Sequence, residues 1–126
     1  MLWIIILILV RMGDLCAQSS YNVPSTGNQS VNTCDAMIYD HAGANANYGS
    51  NCSGYLIIYP SSPNSKMAIV GGSYNTESGW DEITVYNGAG TGGTQLAHLS
   101  GNATVANSII STAANGALTI KFSSDG

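Results

Sequence analysis

The chain has 126 residues, 44% of them hydrophobic and only 8% charged, with a formal net charge of −4, which is one domain's length with enough apolar residues for a single core. Three basic residues, none clustered, leave nucleic-acid binding without an electrostatic basis. Gly, Ser, Asn and Thr supply most of the polarity in place of the Glu, Lys and Arg that furnish exposed helix faces, so an all-β fold of short strands and tight turns is expected.

Met1 to Val10 is almost wholly apolar, and hydrophobicity drops toward Leu15-Cys16-Ala17. Residues 1–17 therefore read as a secretion signal cleaved after Ala17. The apolar run is too short to span a bilayer, so no membrane insertion is expected after cleavage. Cleavage would leave Lys66 and Lys121 against six acids, a balance that also disfavours anionic membrane surfaces. It would remove Cys16 and leave Cys34 and Cys52, an even pair in an oxidising compartment. A Cys34–Cys52 bridge is the expectation, the alternatives being two buried thiols or a partner for Cys34 beyond residue 126. Residues 18–33, polar and poor in anchors, read as a flexible leader or linker.

From Cys34 the pattern changes. Ala36 to Tyr39 is a short strand, followed by a long polar loop, Asp40 to Ser50, whose one large side chain is Tyr48. Tyr55 to Tyr59 is continuously apolar and suits a strand covered on both faces. Pro60 to Ser65 is a turn, Lys66 to Val70 a strand, and Gly71-Gly72 a place for a bulge. Gly88 to Thr94 is a loop, Gln95 to Leu99 a strand, Ser100 to Ala103 a turn and Val105 to Ser111 a further short strand. Ala117 to Ser123 alternates: Leu118, Ile120 and Phe122 face the core, Thr119, Lys121 and Ser123 face water. Strands at this spacing with tight turns give an antiparallel two-sheet sandwich.

Tyr74 to Gly88 is the most informative stretch. Glu77 and Asp81 flank Ser78-Gly79-Trp80 in an acidic turn, and Ile83 and Val85 then alternate with Thr84 and Tyr86 until Asn87-Gly88 ends the strand. Two carboxylates on one loop at a sheet end, in a chain with few charges, point to a hard-cation site. His41 and His98 lack zinc-ligand spacing, Ser111 and Ser124 lack a nucleophile turn, and Asp35, Asp40 and Glu82 lack the cleft that paired-carboxylate chemistry needs. Gly88 to Gly93 has no phosphate-loop lysine. No enzyme activity is expected.

In order and spacing these residues resemble the CUB domain, an extracellular β-sandwich module. The likeness runs from Cys34 to Gly126. It rests on Cys34, the Asn47-Tyr48 pair, Cys52 before an apolar strand, Glu77, Trp80-Asp81 opening Ile-Thr-Val-Tyr-Asn-Gly, and the closing stretch from Asn115 to Asp125. Tyr39-Asp40 followed by Gly43 resembles the bacterial members. The resemblance implies a jelly-roll-like sandwich over residues 34–126 and a calcium ion held by Glu77, Asp81 and Asp125, with Tyr48 supporting. It also implies that the domain is incomplete at its C-terminus, its final edge strand missing. The function implied is that of a secreted, non-catalytic module binding an extracellular protein or glycan through calcium. The competing expectations are an accessory domain of a larger secreted enzyme such as a peptidase, and a calcium-independent spacer.

Overall fold

A computed structural model of the protein describes residues 16–126 together with the backbone of one strand nearer the N-terminus, Ile5–Leu9. Every regular element among the described residues is a strand. In chain order these are β1 (Ile5–Leu9), β2 (Ser19–Asn22), β3 (Thr26–Thr33), β4 (Asp35–Tyr39), β5 (Ser53–Pro60) and β6 (Ala68–Ile69). There follow β7 (Ser73–Asn75), β8 (Glu82–Asn87), β9 (Gln95–Leu99), β10 (Asn102–Thr104), β11 (Ile109–Ile110) and β12 (Leu118–Ser123). One sheet has five strands in the order β3-β5-β12-β8-β9, and the other has seven, with the path β10-β7-β1-β4-β2 and with β6 paired to β1 and β11.

The core lies between the two sheets. Leu118, Ile120 and Phe122 on β12 are buried together with Leu56 and Ile58 on β5 and Ile83 and Val85 on β8. Ala36 and Ile38 on β4, Met67, Ile69 on β6 and Tyr74 on β7 close the same cluster from the other sheet. Alternation explains the set, since residues two apart on a strand share a face. The all-β sandwich expected from the sequence is what the chain adopts.

Apart from strand bounds, where β10 begins at Asn102 inside the expected turn Ser100 to Ala103 and only Ile109–Ile110 pairs within Val105 to Ser111, the structure departs from the sequence expectations in five places. The sheets are not purely antiparallel, because β2 runs parallel to β4 and β3 parallel to β5. Residues 18–33 are not a loose leader; they supply β2 to one sheet and β3 to the other. Backbone pairing, not apolar burial, holds them, since β3 matches β5 over eight positions while most of its side chains stay exposed. Thr119 is fully buried instead of facing water; its hydroxyl donates to the Gly88 carbonyl at 2.8 Å and accepts from the Gly90 amide at 2.8 Å, fixing the β8–β9 loop. On β5 only Gly54, Leu56 and Ile58 are sealed, and Tyr55 and Ile57 on the opposite face are half-buried.

The fifth departure is the disulfide. Cys34 is bridged to Cys16, eighteen residues before it, and Cys52 is a buried free thiol. The reason is local: the Cys52 sulfur turns inward to donate to the Gly49 carbonyl at 3.3 Å and to meet His41 Nδ1 at 3.5 Å. The expected signal covers residues 1–17, of which 1–4 and 10–15 lie outside the described residues; Ile5–Leu9 forms β1, between β4 and the β6/β7 strands.

Gly54 makes a close crossing possible. A β-carbon there would run into the Pro24 carbonyl, so only glycine lets the chain entering β3 pass over β5.

Candidate functional site

Three distant segments meet at one end of the sandwich around the carboxylate of Asp81, which is 4% exposed. Tyr48, from the long polar loop, donates its hydroxyl to Asp81 Oδ2 at 2.6 Å. The Asp125 amide donates to Asp81 Oδ1 at 3.0 Å. The Glu77 amide donates to the Tyr48 hydroxyl oxygen at 3.2 Å, which closes the circuit. A buried carboxylate needs such donors to remain charged.

Two hydroxyls fix the turn that carries Asp81. Thr76 Oγ1 donates to the Asp81 carbonyl at 3.0 Å, and Ser100 Oγ donates to the same carbonyl at 2.8 Å. Ser100 Oγ also accepts from the Gly79 amide at 2.9 Å, and Thr76 Oγ1 accepts from the Gly101 amide at 2.9 Å. Within the turn, the Trp80 and Asp81 amides both donate to the Glu77 carbonyl. Gly79 adopts φ +80°, a left-handed conformation natural to glycine. The Trp80 ring is left 65% exposed on this pinned turn.

Tyr48 is braced as well. Its ring meets Phe122 edge-on, with centroids 4.7 Å apart and planes at 67°, so the site rests directly on the core. The phenol is pushed above its ordinary range, by burial first and by its bond to Asp81 next. The charges of Asp81 and Glu77 push the same way, against the amide of Glu77 that favours the phenolate.

The segment after β12 is stitched to the loop before β5. The Asn51 amide donates to the Asp125 carbonyl at 2.7 Å, the Ser124 amide to the Cys52 carbonyl at 3.0 Å, and Ser124 Oγ to the Gly49 carbonyl at 2.8 Å. His41 holds the same loop from inside: Gly49 N–H donates to Nε2 at 3.1 Å. In the neutral ring Nδ1 then carries the proton and faces the Cys52 sulfur. His98 is a surface residue, 3.1 Å from the Glu82 carboxylate.

Of the residues predicted for the site, Tyr48 and Asp81 are in direct contact, while Glu77 and Asp125 contribute backbone amides to the same network. Their own side chains are exposed. Among the described residues no group of three or more His, Cys, Asp or Glu stands arranged to hold a metal ion. Thr76 and Ser100 were not foreseen; in a chain so rich in hydroxyl residues their type carries no signal. No family model matches the chain. No curated protein matches it either.

Proposed function

We propose that this chain is an extracellular, non-catalytic binding module whose Tyr48–Asp81 end is completed by calcium and presented to a protein or glycan partner. The observation that carries the reading is that the Tyr48 hydroxyl and the Asp125 amide both meet the buried Asp81 carboxylate, with the Glu77 amide on the same Tyr48 hydroxyl, in a chain with so few charges. Ca²⁺ takes about six to eight oxygen ligands, many from carboxylates and carbonyls. Asp81 supplies a carboxylate held in place by neutral donors, and Glu77 and Asp125, exposed on adjacent backbone, are free to turn their carboxylates toward it. Carboxylate and carbonyl oxygens are the donor chemistry that a hard cation takes. Bound there, the ion would offset the mutual repulsion of the acids and fix the loops that carry them.

Trp80 follows from the same geometry as a contact residue. An exposed tryptophan on a turn pinned by hydrogen bonds offers ring surface with little entropy to lose on binding. The Cys16–Cys34 bridge fits an oxidising compartment, and no helix among the described residues is long and apolar enough to cross a membrane. The test is thermal unfolding with and without millimolar CaCl₂. Calcium should raise the melting temperature of the wild type, since a ligand of the native state stabilises it by mass action, and should leave Asp81→Ala unmoved. Equal responses, or none, would remove the metal.

A further inference from the structure

The sandwich has a corner at which both sheets end. β2 is the last strand on the path of the seven-stranded sheet and β3 the last of the five-stranded one, and residues 23–25 carry the chain from one to the other. Main-chain contacts fix this corner. The Val23 amide donates to the Tyr39 carbonyl at 2.9 Å, the Ser53 amide donates to the Ser25 carbonyl at 2.8 Å, and Pro24 lies over Gly54 where a β-carbon would not fit.

At the corner opens a cavity of about 570 Å³, within the range of small-molecule sites, about 300–1,000 Å³. Ser20, Asn22 and Gln29 bring a hydroxyl and two amides to it, and Tyr21, Pro24 and His41 bring rings. Among the described residues no carboxylate, ammonium or guanidinium lines it, so a charged ligand would find no opposite charge. Asn22 and Gln29 are exposed, and among the described residues neither side-chain amide is engaged by another group of the chain. Each amide can both donate and accept. The rings, by contrast, are held: Tyr21 packs against the core, and His41 takes the Gly49 amide on Nε2 and faces the Cys52 sulfur through Nδ1. Fixed walls with open polar groups cost little ordering on binding.

We propose that this corner cavity binds a neutral carbohydrate, its hydroxyls met by Ser20, Asn22 and Gln29 and its carbon-bound hydrogens set against the Tyr21 and His41 rings. A polyhydroxylated ring presents donors and acceptors on its rim and an apolar face, and carries no charge to compensate. The competing occupant is an extended peptide added to the open edge of β2. It is disfavoured because β2 has four residues and Pro24 follows without an amide donor. No residue of the Tyr48–Asp81 network lines the cavity, so the proposal is independent of calcium.

The experiment records amide correlation spectra of the full chain in EDTA. The probes are the methyl glycosides of glucose, galactose, mannose and N-acetylglucosamine, with methyl glucuronide and a hexapeptide of alternating valine and threonine for contrast. At least one neutral glycoside should shift, saturably, the amides of residues 20–25, 29 and 41–43. Asn22→Ala and Gln29→Ala should each weaken it about fivefold, the worth of one neutral hydrogen bond, with the unfolding midpoint unchanged because both side chains are exposed. The proposal is overturned if no neutral glycoside shifts these amides, if the shifts gather at residues 77–81 instead, or if neither substitution alters affinity. Equal binding of the glucuronide, or binding of the peptide in place of the sugars, overturns it too. A missing calcium response would remove the metal and leave these outcomes as they are, since EDTA is present throughout.

Discussion

In the five-stranded sheet the central strand β12 pairs over six positions with β5 on one side and six with β8 on the other, and each of the three strands carries core residues at alternate positions. In the seven-stranded sheet the strands are short, β6 and β11 having two residues each, and β1 joins parts that would otherwise not meet. Long strands with interlocking apolar faces make a sheet whose register is fixed many times over. Short strands joined through one neighbour make a sheet with a single point of failure. The contrast teaches where the molecule can be opened: the candidate cation site rests against the solid sheet, through the contact of Tyr48 with Phe122, and the composite sheet is the one that depends on a single strand.

The largest expected effect comes from the solid sheet. Phe122→Ala removes a ring that is 2% exposed and that braces Tyr48, and should cost about 3–5 kcal/mol, as such truncations do in well-packed cores. Denaturant unfolding with amide exchange reads it. The comparison fails if the seven-stranded sheet proves harder to open than β12.

Replacing Cys16 and Cys34 by serine together should cost less, about 2–4 kcal/mol, the usual worth of a loop-closing bridge. The loss should show first as faster exchange in β1, β2 and β4, because the bridge ties the chain entering β2 to the start of β4. A uniform loss across both sheets would erase the distinction between them.

The smallest of the three effects lies at the site. Asp81→Asn leaves the Tyr48 hydroxyl and the Asp125 amide competing for one acceptor, a change expected to cost about 1–3 kcal/mol. The same pair predicts a pH dependence. Tyr48 holds its proton more tightly when folded than a free tyrosine does. Its contribution to stability is therefore complete below about pH 10, the unfolded value, and is lost as pH rises from there through the folded value, since the unfolded chain gives up the proton first. Ultraviolet titration should find one tyrosine ionising late in the wild type and earlier in Asp81→Asn. Co-titration of all tyrosines would dissolve the network.

How much of this was legible in the sequence follows the same division. β8 and β12 were readable because apolar residues recur at every second position, and β9 was found with its observed bounds. β2 and β3 were not, for they are polar strands held by backbone pairing, and a period of two has nothing to mark when both faces are Ser, Asn and Thr. β1 was hidden differently: an apolar run serves a secretion signal and a buried strand equally well. Val105 to Ser111 was overcalled, only Ile109–Ile110 pairing. At the site, Asp81 was legible from the acidic turn it shares with Glu77, and Tyr48 from its place in a family pattern. The hydroxyls of Thr76 and Ser100 could not be, since their importance comes from which carbonyl they reach. The cysteine pairing was misread because removing the leader on paper removed the partner that Cys34 takes.

The crossing at Gly54 has a consequence for how this chain can change over time. Because β3 is clasped to β5 by main-chain contacts and its side chains mostly face solvent, most substitutions between residues 26 and 32 should be silent for the fold, apart from proline, Gly27 with its φ of +69° and Val31, which packs against the core. Position 54 has no such latitude, since the smallest added methyl would meet the Pro24 carbonyl and pry the opening segment off the sandwich. A region that looks unconstrained by its own composition is thus policed from a single glycine on another strand.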